Sequence, residues 1–136
     1  MDAFASWIIT KCRTIRSAEL IAYFMAIFGV VATHSSTNTI IFTGPFVRTL
    51  MDDYKDEADH SRSANILDAT ACGTNGLIPH GNPVLVITGV ATGVAGVPAT
   101  FSFLDFLPYN FHCWGLLIIF FLSIMTGIGR KRRKTA

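Results

Sequence analysis

Charge is scarce in this chain. Of 136 residues, 11 are Lys or Arg and 9 are Asp or Glu, which makes 15% where an ordinary globular protein carries roughly 25%. Hydrophobic residues reach 51% before the 11 glycines are counted, and the mean hydropathy is +0.46. Intrinsic disorder and a conventional soluble core are both excluded by that balance. Cysteine is sparse as well. Cys12, Cys72 and Cys113 are odd in number and form no C-x-x-C pair, so neither a disulfide framework nor a zinc knuckle is indicated. No P-loop, nucleophile elbow, H-E-x-x-H, nucleic-acid motif, heptad pattern or soluble-type repeat is present. The start lacks the order of a secretory signal, because the apolar run 4–9 is short and precedes the basic residues.

What is present is long stretches without any charge. Residues 20–47, 69–104 and 106–129 contain no Asp, Glu, Lys or Arg, over 28, 36 and 24 residues. Each exceeds the ~18 residues that flag a bilayer segment. The pattern predicts an all-α integral membrane protein, one membrane domain over 1–136, with the lipid bilayer as its main partner. The cationic run Arg130-Lys131-Arg132-Arg133-Lys134 abuts an apolar span and reads as a juxtamembrane anchor, with no nucleic-acid role.

Length and charge then suggest a topology. Residues 17–51 are too long for one straight span and too short for two full crossings with a turn. Their middle, His34-Ser35-Ser36-Thr37-Asn38-Thr39, is wholly polar. A re-entrant hairpin accounts for this, with one arm over 18–33, a polar tip, and a return arm over 40–51 broken near Gly44 and Pro45. Residues 52–62 form a charged cytoplasmic loop. Residues 63–97 read as a broken transmembrane helix: a helix over 63–71, a break over 72–83 dense in Gly and Pro, and an apolar helix over 84–97. In that last helix Gly89 and Gly93 have the spacing for close helix contact. A final transmembrane helix covers 111–129, with Tyr109, His112 and Trp114 as an interfacial belt, and 130–136 is a basic tail. With a re-entrant first segment all 11 Lys and Arg fall on one side, which the positive-inside rule makes cytoplasmic. The expected location is therefore a cell membrane, multi-pass, with the basic C-terminus inside.

Polar breaks at membrane depth persist where they bind something or line a cavity. The tip offers Ser35, Ser36, Thr37, Asn38 and Thr39, whose hydroxyl and amide oxygens suit a hard cation. The second break offers Thr70, Thr74, Asn75, His80 and Asn82, with backbone carbonyls freed by Pro79 and Pro83. The bland alternative is hydrogen bonding between helices or capping of helix ends. Asp68 is the one acid between Asp59 and Asp105, a candidate proton carrier or cation ligand, or else a helix cap. His80 and Asn82 are candidates for a substrate contact or proton relay. No metal-ligand spacing appears, so no metal beyond Na⁺ and no cofactor is expected. No nucleophile–base pair supports an enzyme.

Several of these residues resemble a known pattern. Ser61-Arg62, then Asn65-Ile66-Leu67-Asp68, then Gly76-Leu77-Ile78-Pro79 resembles the C-terminal part of NhaC-type sodium/proton antiporters, in the ion transporter superfamily. In that pattern a Ser-Arg loop leads to an acid and a Leu-Ile-Pro break in a discontinuous helix. Ser36-Thr37-Asn38-Thr39 looks like the superfamily's hairpin-tip sodium clamp, and Pro108-Tyr109-Asn110-Phe111 is similar to the opening of its last span. The family pattern has Trp after Leu-Ile-Pro where this chain has His80. The resemblance implies the C-terminal part of an inverted-repeat fold and sodium/proton antiport across the plasma membrane. Ser36, Thr37, Asn38, Thr39, Thr74 and Asn75 would ligate Na⁺, and Asp68 would exchange Na⁺ for H⁺. It also implies a fragment whose partner is the missing N-terminal half of the transporter or a second copy in a homo-oligomer. The rival expectations are an accessory or structural membrane subunit without transport of its own, and a homo-oligomeric channel.

Overall fold

The computed structural model describes residues 14–52, 54, 60–96, 98 and 100–130, with His60 through its backbone alone. The described residues are all-helical and contain no strand. In chain order the elements are α1 (Ile15–Thr33), α2 (Ser36–Asp52), α3 (His60–Asn75), α4 (Asn82–Ala91), α5 (Phe103–Phe106), a 3₁₀ turn (Leu107–Tyr109) and α6 (Phe111–Thr126). Most of the loop 52–62 and all of the tail beyond Arg130 lie outside the described residues.

Helix α1 begins with a reciprocal cap. The Thr14 hydroxyl accepts the Ser17 N–H at 3.4 Å, and the Ser17 hydroxyl accepts the Thr14 N–H at 3.3 Å, which satisfies donors that a helix start leaves free. It ends at His34, whose left-handed conformation (φ 56°) lets its N–H donate to the Val30 carbonyl at 2.8 Å. Ala18, Ala22, Ala26 and Val30 recur every four residues and are buried, so one narrow face of small side chains lets its neighbours approach closely. Ala18, Ala22 and Ala26 pack with Val47, Leu50 and Met51 of α2 and Leu67 of α3. On the other side Tyr23 joins Ile66 and Ile124, and its hydroxyl donates to the Leu117 carbonyl of α6 at 3.1 Å. Tyr23→Phe removes that bond alone; a loss of about 1 kcal/mol, read by thermal unfolding in detergent, is the expected result.

The hairpin turn is tighter than the polar stretch implies. Only His34 and Ser35 separate α1 from α2, and residues 36–39, expected as part of an unwound tip, form the first helical turn. Hydroxyls explain the difference. The Ser35 hydroxyl accepts the Asn38 N–H at 3.4 Å, and the Thr39 hydroxyl donates to the Ser35 carbonyl at 2.9 Å, so these side chains satisfy the backbone locally. Pro45 lies inside α2 and does not end it. The second break is likewise shorter than 72–83: α3 runs on to Asn75, and 76–81 alone is non-helical before α4. The Thr74 hydroxyl donates to the Thr70 carbonyl at 2.7 Å, again within its own helix. Helix α4 stops at Ala91 instead of reaching 97. Nothing lies within 4 Å of where a Gly89 side chain would begin, and near Gly93 stands only the Val90 carbonyl. No neighbouring helix among the described residues therefore uses that small-residue spacing.

Helix α1 has 19 residues and is long and apolar enough to cross a membrane by length and composition. The segment Phe103–Tyr109 together with Phe111–Thr126 passes the same test as one unit bent by 55°. Helices α1, α2 and α3 pack on one another, and α6 packs on α1 and α3. The outward faces remain apolar: Phe24, Phe28, Phe42, Val86, Val90 and Ile119 are all exposed.

One end of this bundle is held by a buried ion cluster. Glu19 of α1 is 1% exposed; its carboxylate accepts from Arg62 Nε of α3 at 2.6 Å and from Arg130 Nη2 at 2.6 Å. The cluster has one anion and two cations. The surplus positive charge meets carbonyls at the end of α6: Arg62 also donates to Ser123 and Ile128 at 3.1 and 2.9 Å, and Arg130 to Ile124 at 3.4 Å. A helix C-terminus carries partial negative charge, so the placement is electrostatically sound. Gly127 (φ 74°) and Gly129 (φ 85°) provide the left-handed turns that bring Arg130 back to Glu19. The start of α1, the start of α3 and the end of α6 thus meet at one end, and the hairpin tip and the helix break lie at the other.

Candidate functional site

The tip of the α1–α2 hairpin and the break after α3 meet. His34 of the tip and His80 of the break have ring centroids 5.6 Å apart, with planes at 61°. Ser36, the first residue of α2, reaches the Cys72 thiol, and that thiol lies 3.7 Å from Asp68 Oδ1. Of the candidate residues, Ser36 and Asp68 are therefore drawn together, with Cys72 between them. Asp68 is the ninth of the sixteen residues of α3, about 12 Å along the helix from its start. It faces a groove of about 500 Å³ between α2 and α3, lined also by Ile40, Gly44, Val47, Arg48 and Ser63. Asp68 itself is exposed and opens on this mostly apolar groove.

Thr39, Thr74 and Asn75 point inward and are buried, whereas Thr37, Asn38, His80 and Asn82 lie on the surface. Thr39 sits against Gly29 of α1, with its methyl 2.6 Å from where a Gly29 side chain would begin, and its hydroxyl meets that of Thr33 at 3.0 Å. Among the described residues, two buried side-chain oxygens have no hydrogen-bond partner: Thr70 Oγ1 and Asn75 Oδ1. A buried acceptor left unpaired costs about 1–3 kcal/mol, so both suit a donor or cation supplied from outside the described residues. Asn75 is pressed against Gly81, and the Gly76 carbonyl accepts from Asn110 Nδ2 at 2.8 Å. These contacts fix both sides of the break.

Sequence reasoning gave two participants no role, Cys72 and Glu19, whereas Thr70 is among the oxygens it assigns to the second break. Cys72 had no visible base nearby, because its partners are one helical turn away and on another helix. Glu19 stood just outside the first charge-free window and read as its edge. The available signal was chemical: an acid beginning an apolar helix needs a cationic partner. No cluster of three or more His, Cys, Asp or Glu fit to hold a metal occurs among the described residues. In comparisons with known proteins, the chain matches no protein family, no curated protein and no solved structure.

Proposed function

We propose that this chain lies in a membrane and contributes a cation-binding hairpin and broken helix to a sodium/proton antiporter of the NhaC type. The observation that carries the reading is Asp68: a carboxylate midway along α3, facing the α2–α3 groove and 3.7 Å from the Cys72 thiol, which Ser36 at the hairpin tip approaches. The partnerless oxygen of Asn75, seven residues on from Asp68 and so on the same side of α3, adds ligand capacity of the hard type that Na⁺ takes. The apolar outer faces suit lipid. Arg16 and Arg62 at the starts of α1 and α3, and Arg130 after α6, stand at the clasp end, so on this reading that end is cytoplasmic and the hairpin enters and leaves there.

The mechanism follows from competition at one carboxylate. Ionised Asp68 binds Na⁺ with hydroxyl and amide oxygens around it; protonated Asp68 has no charge to offer the cation and returns carrying H⁺. Because the two ions exclude each other, a gradient of one drives the other. In proteoliposomes that hold the assembled transporter of which this chain is part, with a pH-sensitive dye inside, an imposed Na⁺ gradient is expected to move protons, and Asp68→Asn is expected to reduce that flux to background. Unaltered flux in Asp68→Asn removes Asp68 from the mechanism. A wild-type chain without flux that purifies in stoichiometric complex with another membrane protein supports an accessory subunit instead.

A further inference from the structure

We propose that His34 and His80 form a binding site for a borderline transition-metal cation, with Zn²⁺ as the representative ion, that ties the hairpin tip to the helix break. This site is separate from the Asp68 groove and does not depend on the antiporter reading. Two imidazoles sharing one tetrahedral cation at about 2.1 Å place their ring centres roughly 5–6 Å apart. The observed 5.6 Å, in an edge-to-face contact, lies within that range. Both residues are exposed, so each ring is free to turn a nitrogen toward a common ion.

The backbones that carry the two rings are held. His34 occupies the left-handed cap of α1, anchored by its N–H to Val30. His80 lies between Pro79 and Gly81, and the Gly81 N–H donates to the Ile78 carbonyl at 2.9 Å. Two ligands fixed in advance on different elements act as a chelate, since the second binds at high effective concentration. Imidazole suits Zn²⁺, Cu²⁺ and Ni²⁺ over the hard cations, which separates this site from the oxygen-rich one. No third His, Cys, Asp or Glu completes a cluster among the described residues, so the two imidazoles are the ligands the proposal counts. Such a site takes up and releases metal reversibly. Binding there joins α1–α2 to the α3–α4 break and restrains their relative motion.

The test uses the full chain in detergent, titrated with Zn²⁺ by calorimetry and with Cu²⁺ by electron paramagnetic resonance. His34→Asn keeps a residue that tolerates the left-handed conformation, and His80→Asn removes the other imidazole. Each is expected to weaken Zn²⁺ binding on the order of 100-fold, with far-UV circular dichroism unchanged. The Cu²⁺ spectrum of the wild type is expected to show two coordinated nitrogens that the double variant lacks. Equal Zn²⁺ affinity in the wild type and the double variant overturns the proposal, and so does loss of affinity in only one of the single variants.

Discussion

Replacing Glu19 with Ala is expected to destabilise the protein by about 3–5 kcal/mol, a loss that thermal unfolding in detergent resolves directly. The carboxylate is 1% exposed, and its partners Arg62 and Arg130 are 11% and 16% exposed. Deleting it therefore strands two largely desolvated guanidinium groups beside each other. Their remaining bonds go to carbonyls of Ser123, Ile124 and Ile128, which offer no full negative charge. A domain is stable by roughly 5–15 kcal/mol in total, so the loss is a large share of what holds α1, α3 and α6 together. The cause is the uncompensated charge, and a second variant isolates it. Replacing the whole cluster (Glu19→Met, Arg62→Leu and Arg130→Met together) leaves no stranded ion, and such replacements are often neutral or stabilising. The triple variant is expected to melt near the wild type. A wild-type melt for Glu19→Ala, or a triple variant as unstable as the single one, contradicts the charge argument.

Gly81→Ala is the second large effect, about 1–3 kcal/mol or more. The new methyl would run into the Asn75 carbonyl oxygen and would stand 3.1 Å from its carbonyl carbon and 3.0 Å from Asn75 Oδ1. Two of those three atoms are backbone, so no rotamer relieves the clash and the break must move. Gly89→Ala is the matched control. It lies in α4 with nothing within 4 Å, and helix propensity makes Ala there favourable by up to about 1 kcal/mol. Hydrogen exchange across residues 76–82 is expected to accelerate in Gly81→Ala and stay unchanged in Gly89→Ala. Equal melting temperatures for the two variants would show that the break does not depend on this close approach.

The gross plan was legible because it depends on composition. Charge-free windows mark α1 and α6, and a polar interruption marks the hairpin, since a run of hydroxyls between two apolar stretches is where a chain turns. The edges were not legible, for a local reason. Thr39, Thr43 and Thr74 each donate their hydroxyl to the carbonyl four residues earlier, so polar side chains that looked like unwound backbone are absorbed into helices. The approach of Ser36 to Cys72 and Asp68, and of His34 to His80, depends on how helices pack across more than thirty residues of sequence. Hydropathy carries no such signal. The Glu19 cluster is the extreme case, since its partners stand 43 and 111 residues away.

That separation imposes an order on biosynthesis. While the ribosome is still making α2, the Glu19 carboxylate has neither Arg62 nor Arg130 to pair with. Arg62 arrives first and neutralises it. Arg130 closes the cluster only after the last apolar helix has been made and turned at Gly127 and Gly129. A nascent chain halted before that point lacks the pair that ties the segment after α6 to α1, and its Glu19 has one guanidinium where the finished chain has two.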